Sequence, residues 1–178
     1  MNILLLGGNS QRNQQWVHSV GDFVKSDYGK VVVHDYLHWG GQGEFVNFEL
    51  ELPRITDEAK DLGEFIAFAK SVGSVTTLMS IANGSIRPKA CVFAGLPIKL
   101  ANEEDIDLPG LLASCGVPIT FLQNKNDPLA SSEHLQNYLA AMKLEDYTVV
   151  EQPGVDHSYD DLDLIRSLLL KLRSDLPR

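Results

Sequence analysis

Six short apolar runs punctuate the chain, and their form constrains the fold more than any other feature. They are Ile3–Leu6, Val31–Val33, Phe65–Ala69, Ala90–Ala94, Ile119–Leu122 and Tyr147–Val150. Each run is continuous rather than alternating. A strand with one wet face alternates apolar and polar residues, so continuous runs predict strands covered on both faces. Between the runs lie segments with helical spacing. Trp16, Val17, Val20, Phe23 and Val24 mark one apolar face, and Val72, Val75, Leu78, Met79 and Ala82 a second, closed by Gly84. Leu135, Tyr138, Leu139 and Met142 mark a third. Leu162, Ile165, Leu169 and Leu172 mark the last, with Ser158 and Asp161 spaced as a capping box and Lys171 and Arg173 in the final turn. Segment 40–62 carries two patterns. Phe48, Leu50 and Leu52 alternate with Glu49 and Glu51, whereas Phe48, Leu52, Ile55, Ala59 and Leu62 form a helical stripe. Pro53 suits the first turn of a helix over Pro53–Leu62.

Repeated strand–helix–strand units predict an α/β, doubly wound, three-layer sandwich around a mostly parallel sheet. The 178 residues suit a single domain, 1–178, with a sizeable core. The hydrophobic share of 44% argues against disorder. A net charge of -9 repels phosphate backbones and anionic surfaces, so neither nucleic acid nor a membrane is expected as a partner. Cys91 and Cys115 are too few for a disulfide framework. Ile3–Leu6 is short and ends at Gly7-Gly8, unlike a secretory leader, and no apolar stretch approaches the ~20 residues of a membrane span. The expected setting is cytoplasmic. The oligomeric state is left open.

In open parallel sheets ligands bind beyond the carboxyl ends of the strands. The residues there are Gly7-Gly8-Asn9-Ser10, His34-Asp35-Tyr36, Lys70-Ser71-Val72-Gly73, Gly95-Leu96-Pro97, Asn124 to Pro128, and Gly154 to Ser158. Ser71 stands between a buried strand and a helix. A nucleophile on such a turn needs small residues two before and two after it, and Ala69 and Gly73 qualify. The rival Ser74 is flanked at those positions by Val72 and Thr76, both β-branched. Ser71 could instead merely cap the helix, Asp127 could start a turn, and His157 could be a polar loop residue. The constellation Ser71, Asp127 and His157, in that chain order and at three strand ends, favours the enzyme.

On these residues the chain resembles the α/β-hydrolase superfamily, in particular its small serine hydrolases without a lid. The resemblance runs from Gly7-Gly8-Asn9 through Ala69-Lys70-Ser71-Val72-Gly73 and Asn126-Asp127-Pro128 to Asp156-His157-Ser158. It implies six strands in order 2-1-3-4-5-6, a minimal fold without a cap domain. It also implies a serine esterase or thioesterase acting through Ser71, His157 and Asp127 as a catalytic triad. The nucleophile elbow would sit at Ser71, the oxyanion hole at the amides of Asn9 and Val72, and the substrate would be a small acyl compound. Ser10, Trp39 and Phe45 would line its pocket, although ordinary packing under a long loop explains them as well. The chain departs from the family at Ala69 (commonly glycine), Lys70 (often histidine) and Gly7 (frequently histidine).

No cofactor and no metal are expected. His34 and His38 have the spacing of a zinc helix, but His34 ends a β-branched run and Gly40-Gly41 follows. Lys70-Ser71 lacks the glycines of a phosphate loop. The alternatives are a flavodoxin-like nucleotide-binding domain, with Gly7-Gly8-Asn9-Ser10 around a phosphate, and a non-catalytic interaction protein on the hydrolase fold.

Overall fold

The computed structural model describes residues 1–176. Its strands are β1 (Asn2–Leu6), β2 (Val31–His34), β3 (Phe65–Lys70), β4 (Ala90–Ala94), β5 (Ile119–Asn124) and β6 (Tyr147–Gln152). They form one sheet in order β2-β1-β3-β4-β5-β6, with every neighbouring pair parallel. All six apolar runs of the sequence are strands. The helices are α1 (Arg12–Val24), α2 (Phe48–Ala59), α3 (Val72–Ala82), α4 (Ile98–Glu103), α5 (Leu108–Ala113), α6 (Ser132–Met142) and α7 (Leu162–Asp175). None is long and apolar enough to cross a membrane.

The strands explain the two-sided core. Successive side chains point to opposite faces. Ile3, Leu5, Ile66, Phe68 and Val92 therefore pack with Val17, Val20 and Val24 of α1 and with Ile165 and Leu169 of α7. Leu4, Leu6, Ala67, Cys91, Phe93 and Phe121 pack on the other face with Ile55 of α2, Leu78 of α3, Leu112 of α5 and Leu135 of α6. The chain is thus a three-layer α/β sandwich.

Two helix starts differ from the sequence reading. The helix expected over Pro53–Leu62 begins upstream at Phe48, and Pro53 lies in its second turn. Asn47 is the cap, its side chain accepting from the Leu50 amide, and Glu49 and Glu51 in the first turn suit the positive end of the helix. The alternating pattern of 48–52 is therefore helical. Glu51 is buried because it turns inward to accept the Leu37 amide at 2.7 Å. At α7 the cap is Asp161, which accepts from the Leu164 amide at 2.9 Å, not Ser158. Ser158 lies too far upstream of Leu162 to reach the free amides of the first turn. The helix α3 ends as read, with Gly84 at φ +77°.

Candidate active site

Ser71, Asp127 and His157 follow β3, β5 and β6 at the carboxyl edge of the sheet, the edge that also carries the loops after β1 and β4. Ser71 follows β3 directly and has φ 55° and ψ -126°. Backbone in this region is strained for any residue with a Cβ and costs of order 1–3 kcal/mol. Its side chain makes no capping bond to α3, so the reading of Ser71 as a plain helix cap does not hold. Its own amide donates to Ala94 O at 3.0 Å, which ties the turn to the end of β4. Gly73 is needed two residues on: a Cβ there would lie 2.5 Å from Gly7 O and 3.0 Å from Leu6 O. Ser71 is 8% exposed, whereas Ser74 is fully buried in the first turn of α3, with Ala69 O at 3.4 Å from its hydroxyl.

Asp127 and His157 face each other from the loops after β5 and β6. Nδ1 of His157 lies 2.7 Å from Oδ2 of Asp127. An ionised carboxylate only accepts, so Nδ1 carries the hydrogen and Nε2 of the neutral ring keeps its lone pair. Nε2 is buried and makes no hydrogen bond among the described residues. Burial of Asp127 disfavours its charge. The bonds from His157, Tyr159 and the Leu129 amide outweigh that, and its pKa falls below the usual carboxylate value. His157 stands over Gly95, whose φ is +64° and whose Cβ, if present, would come 2.7 Å from Cε1 of His157. Gly95 directly follows Ala94, the partner of the Ser71 amide, so His157 and Ser71 both lie against the end of β4.

The loop after β1 is pinned from one side. Asn9 O accepts from Nε2 of His38 at 2.6 Å and from Nε1 of Trp39 at 3.1 Å, and Asn9 Oδ1 accepts the Val46 amide at 2.8 Å. Its carbonyl and side chain are thus occupied, while its amide makes no bond among the described residues. The Val72 amide is the first of α3, where the helix offers no acceptor. Trp39 is 5% exposed and lies beneath Gly7, where a Cβ would come 2.9 Å from its ring. It supports the loop from below and is not an open pocket wall. Ser10 is exposed, its hydroxyl accepting from the Arg12 amide at 3.3 Å, and Phe45 is 70% exposed beside Val46.

Three contributors were given no role at this site by the sequence reading. Tyr159 is fully buried; its hydroxyl donates to Asp127 Oδ2 at 2.7 Å and accepts the Asn124 amide at 3.1 Å. Burial raises its pKa, so it stays a donor. His38 holds Asn9 from the 3-10 turn Leu37–Gly40, and Gly95 makes room for His157. The spacing of Tyr159 two residues after His157 was the one available signal, and alone it is uninformative. His34 is buried beneath this turn, Nδ1 2.8 Å from Glu58 and Nε2 3.2 Å from Glu51, so its ring faces two carboxylates of α2.

No family model matches the chain, and no curated protein matches it. Solved structures do. A cold-adapted esterase from an Arctic intertidal metagenomic library, in complex with PEG, superposes with a TM-score of 0.72 at 17% identity, over 99% of this chain and 83% of that one. Est1E from Butyrivibrio proteoclasticus, with ferulic acid bound, gives 0.73 at 14% identity, over 98% and 88%. Mouse alpha/beta hydrolase domain-containing protein 10 gives 0.69 at 15%, over 97% and 89%. The sheet order, the helical layers and these superpositions agree: the chain has the α/β-hydrolase fold, in a small form of 178 residues.

Proposed function

We propose that the protein is a serine hydrolase that cleaves a small ester or thioester through an acyl-enzyme on Ser71. The observation that carries this reading is the backbone of Ser71, held at φ 55° and ψ -126° with no capping bond to repay the strain. In this reading Nε2 of His157 takes the Ser71 proton as the hydroxyl attacks the acyl carbon, and returns it to the leaving group. Asp127 holds the Nδ1–H tautomer and stabilises the imidazolium. The amides of Asn9 and Val72 receive the oxyanion, aided by the positive end of α3. Water then enters, loses its proton to His157, and releases the acid and free Ser71. Nε2 of His157 makes no hydrogen bond among the described residues, which leaves it free to accept the Ser71 hydroxyl once substrate seats that hydroxyl.

The solved structures support the reading through fold, since one of them is a cold-adapted esterase and another is the esterase domain of a Rhodothermus marinus protein. Exposed Phe45, next to the Val46 that holds Asn9, offers an apolar surface for the acyl group. A panel of short and long acyl esters and thioesters, run with wild type and Ser71→Ala, tests it. Turnover by wild type and its loss in the variant are expected. Equal rates in both overturn the assignment, and a nucleotide or flavin carried through purification would favour the nucleotide-binding alternative.

A further inference from the structure

Lys70 is 7% exposed, an unusual place for an ammonium, and it immediately precedes Ser71. Its close partners are neutral. Nζ donates to Oδ1 of Asn13 at 2.7 Å and lies 4.9 Å from the centre of the Trp16 ring. Burial lowers its pKa, and Asp160, Asp127 and Asp156 oppose that from longer range.

Asn13 connects this ammonium to the loop after β1. Its amide group is wedged against Gly8: a Cβ on Gly8 would come 2.8 Å from Asn13 Nδ2, 3.1 Å from Asn13 Cγ and 3.3 Å from Cβ of Ser71. Its backbone oxygen stands 3.1 Å from the Cβ position of Gly7, and its amide donates to Ser10 O at 2.8 Å. Asn13 therefore touches the Gly7–Ser10 loop at three points, and one hydrogen bond fixes its side chain to the residue beside Ser71. Trp16 forms a second arm. Its indole N–H donates to Tyr159 O at 2.8 Å, and the Tyr159 hydroxyl reaches Asp127.

We propose that Lys70 is a positioning residue that sets the Asn9 amide against Ser71 through Asn13, so that its contribution appears in the transition state and not in substrate binding. The inference rests on the serine-hydrolase reading. Lysine fits the role because its long stem crosses the buried strand end while a single charged donor orients an amide. A misplacement of about 1 Å in a catalytic group can cost ~100-fold.

The test uses p-nitrophenyl acetate turnover and fluorophosphonate labelling of wild type, Lys70→Met, Asn13→Ala and the double variant. In each variant kcat should fall about 10- to 100-fold with KM within ~3-fold of wild type, and labelling should slow in parallel. The double variant should lose no more than ~3-fold beyond the worse single variant, because both substitutions break one bond. Wild-type kcat in Asn13→Ala, a loss carried by KM, or losses that multiply would overturn the proposal. Asn13 is half-exposed at the start of α1, so its variant decides even if Lys70→Met does not fold. Labelled wild type with equally labelled variants defeats this inference alone, whereas wild type that is neither labelled nor active defeats the serine-hydrolase reading with it.

Discussion

Tyr159 donates its phenolic hydrogen to Oδ2 of Asp127, the same oxygen that faces Nδ1 of His157, and both distances are 2.7 Å. Asp127 Oδ1 accepts the Leu129 amide at 2.8 Å, so donors hold the carboxylate at both oxygens. The Tyr159 oxygen in turn accepts the buried Asn124 amide. Tyr159→Phe removes a donor from Asp127 and leaves that amide without its acceptor. Denaturant unfolding should show a loss of about 1–3 kcal/mol, the cost of a buried unsatisfied group. Ester turnover should fall as well, since Asp127 can then rotate away from His157. Unchanged stability and turnover together would show that the hydroxyl is idle.

Gly95 and Gly63 both have positive φ, +64° and +58°, but their surroundings differ. A Cβ at Gly95 would meet Tyr159 Cε2 at 2.6 Å and His157 Cε1 at 2.7 Å, while nothing lies within 4 Å of one at Gly63. Both alanine variants should therefore be less stable through backbone strain, by about 1–3 kcal/mol. Only Gly95→Ala should also lose turnover, by displacing the imidazole. Comparison of melting temperature and kcat for the pair separates strain from displacement, and equal turnover in both would count against His157 lying over Gly95.

The strands were legible because burial on both faces writes itself as continuous apolar runs. Ile3–Leu6 and Ala90–Ala94 could hardly be anything else. The tight turn at Ser71 was legible through steric exclusion: the 2.5 Å approach of a Cβ at Gly73 to Gly7 O is the physical reason a small residue is needed there. Helix α2 was misplaced because Pro53 is the stronger local signal. Its cost is offset by partners far along the chain, Leu37 and His34, which draw Glu51 inward. A still longer separation hid Tyr159. Its partners Asn124 and Asp127 lie more than thirty residues upstream, and no local pattern encodes such a pairing. The helices α4 and α5 are too short to print a periodicity.

Asp127 also makes stability depend on pH in a stated direction. Its pKa is lowered in the fold, so it binds its proton less readily there than in the unfolded chain, whose carboxyl titrates near ~3.9. Its contribution is complete above the unfolded value and is lost as pH falls through the lower, folded value. Asp127→Asn, which carries no titrating carboxyl, should therefore be less stable than wild type near neutrality. The gap should narrow below about pH 4 as the wild-type carboxylate takes up its proton. Urea unfolding of both proteins at stepped pH measures it. A gap that widens on acidification would contradict a lowered pKa at this position.

Ser71 and Ser74 are close in sequence and differ in every property that matters for attack. Ser71 sits at positive φ, has some exposure and leaves its hydroxyl uncommitted to α3. Ser74 is buried, lies inside the helix and faces Ala69 O. If Ser71 is the nucleophile, a fluorophosphonate should form one adduct, mapped by peptide sequencing to Ser71. Ser71→Ala should abolish it and lower turnover by about 10⁴-fold or more, as removal of a nucleophile does in triad enzymes. Ser74→Ala should keep most of the activity, because it removes a weak internal contact and fills its own space. Its stability should change by less than about 1 kcal/mol, the net worth of a modest hydrogen bond. An adduct on Ser74, or a Ser71→Ala protein that still hydrolyses its best substrate near the wild-type rate, would falsify the assignment and return Ser71 to the role of a strained turn.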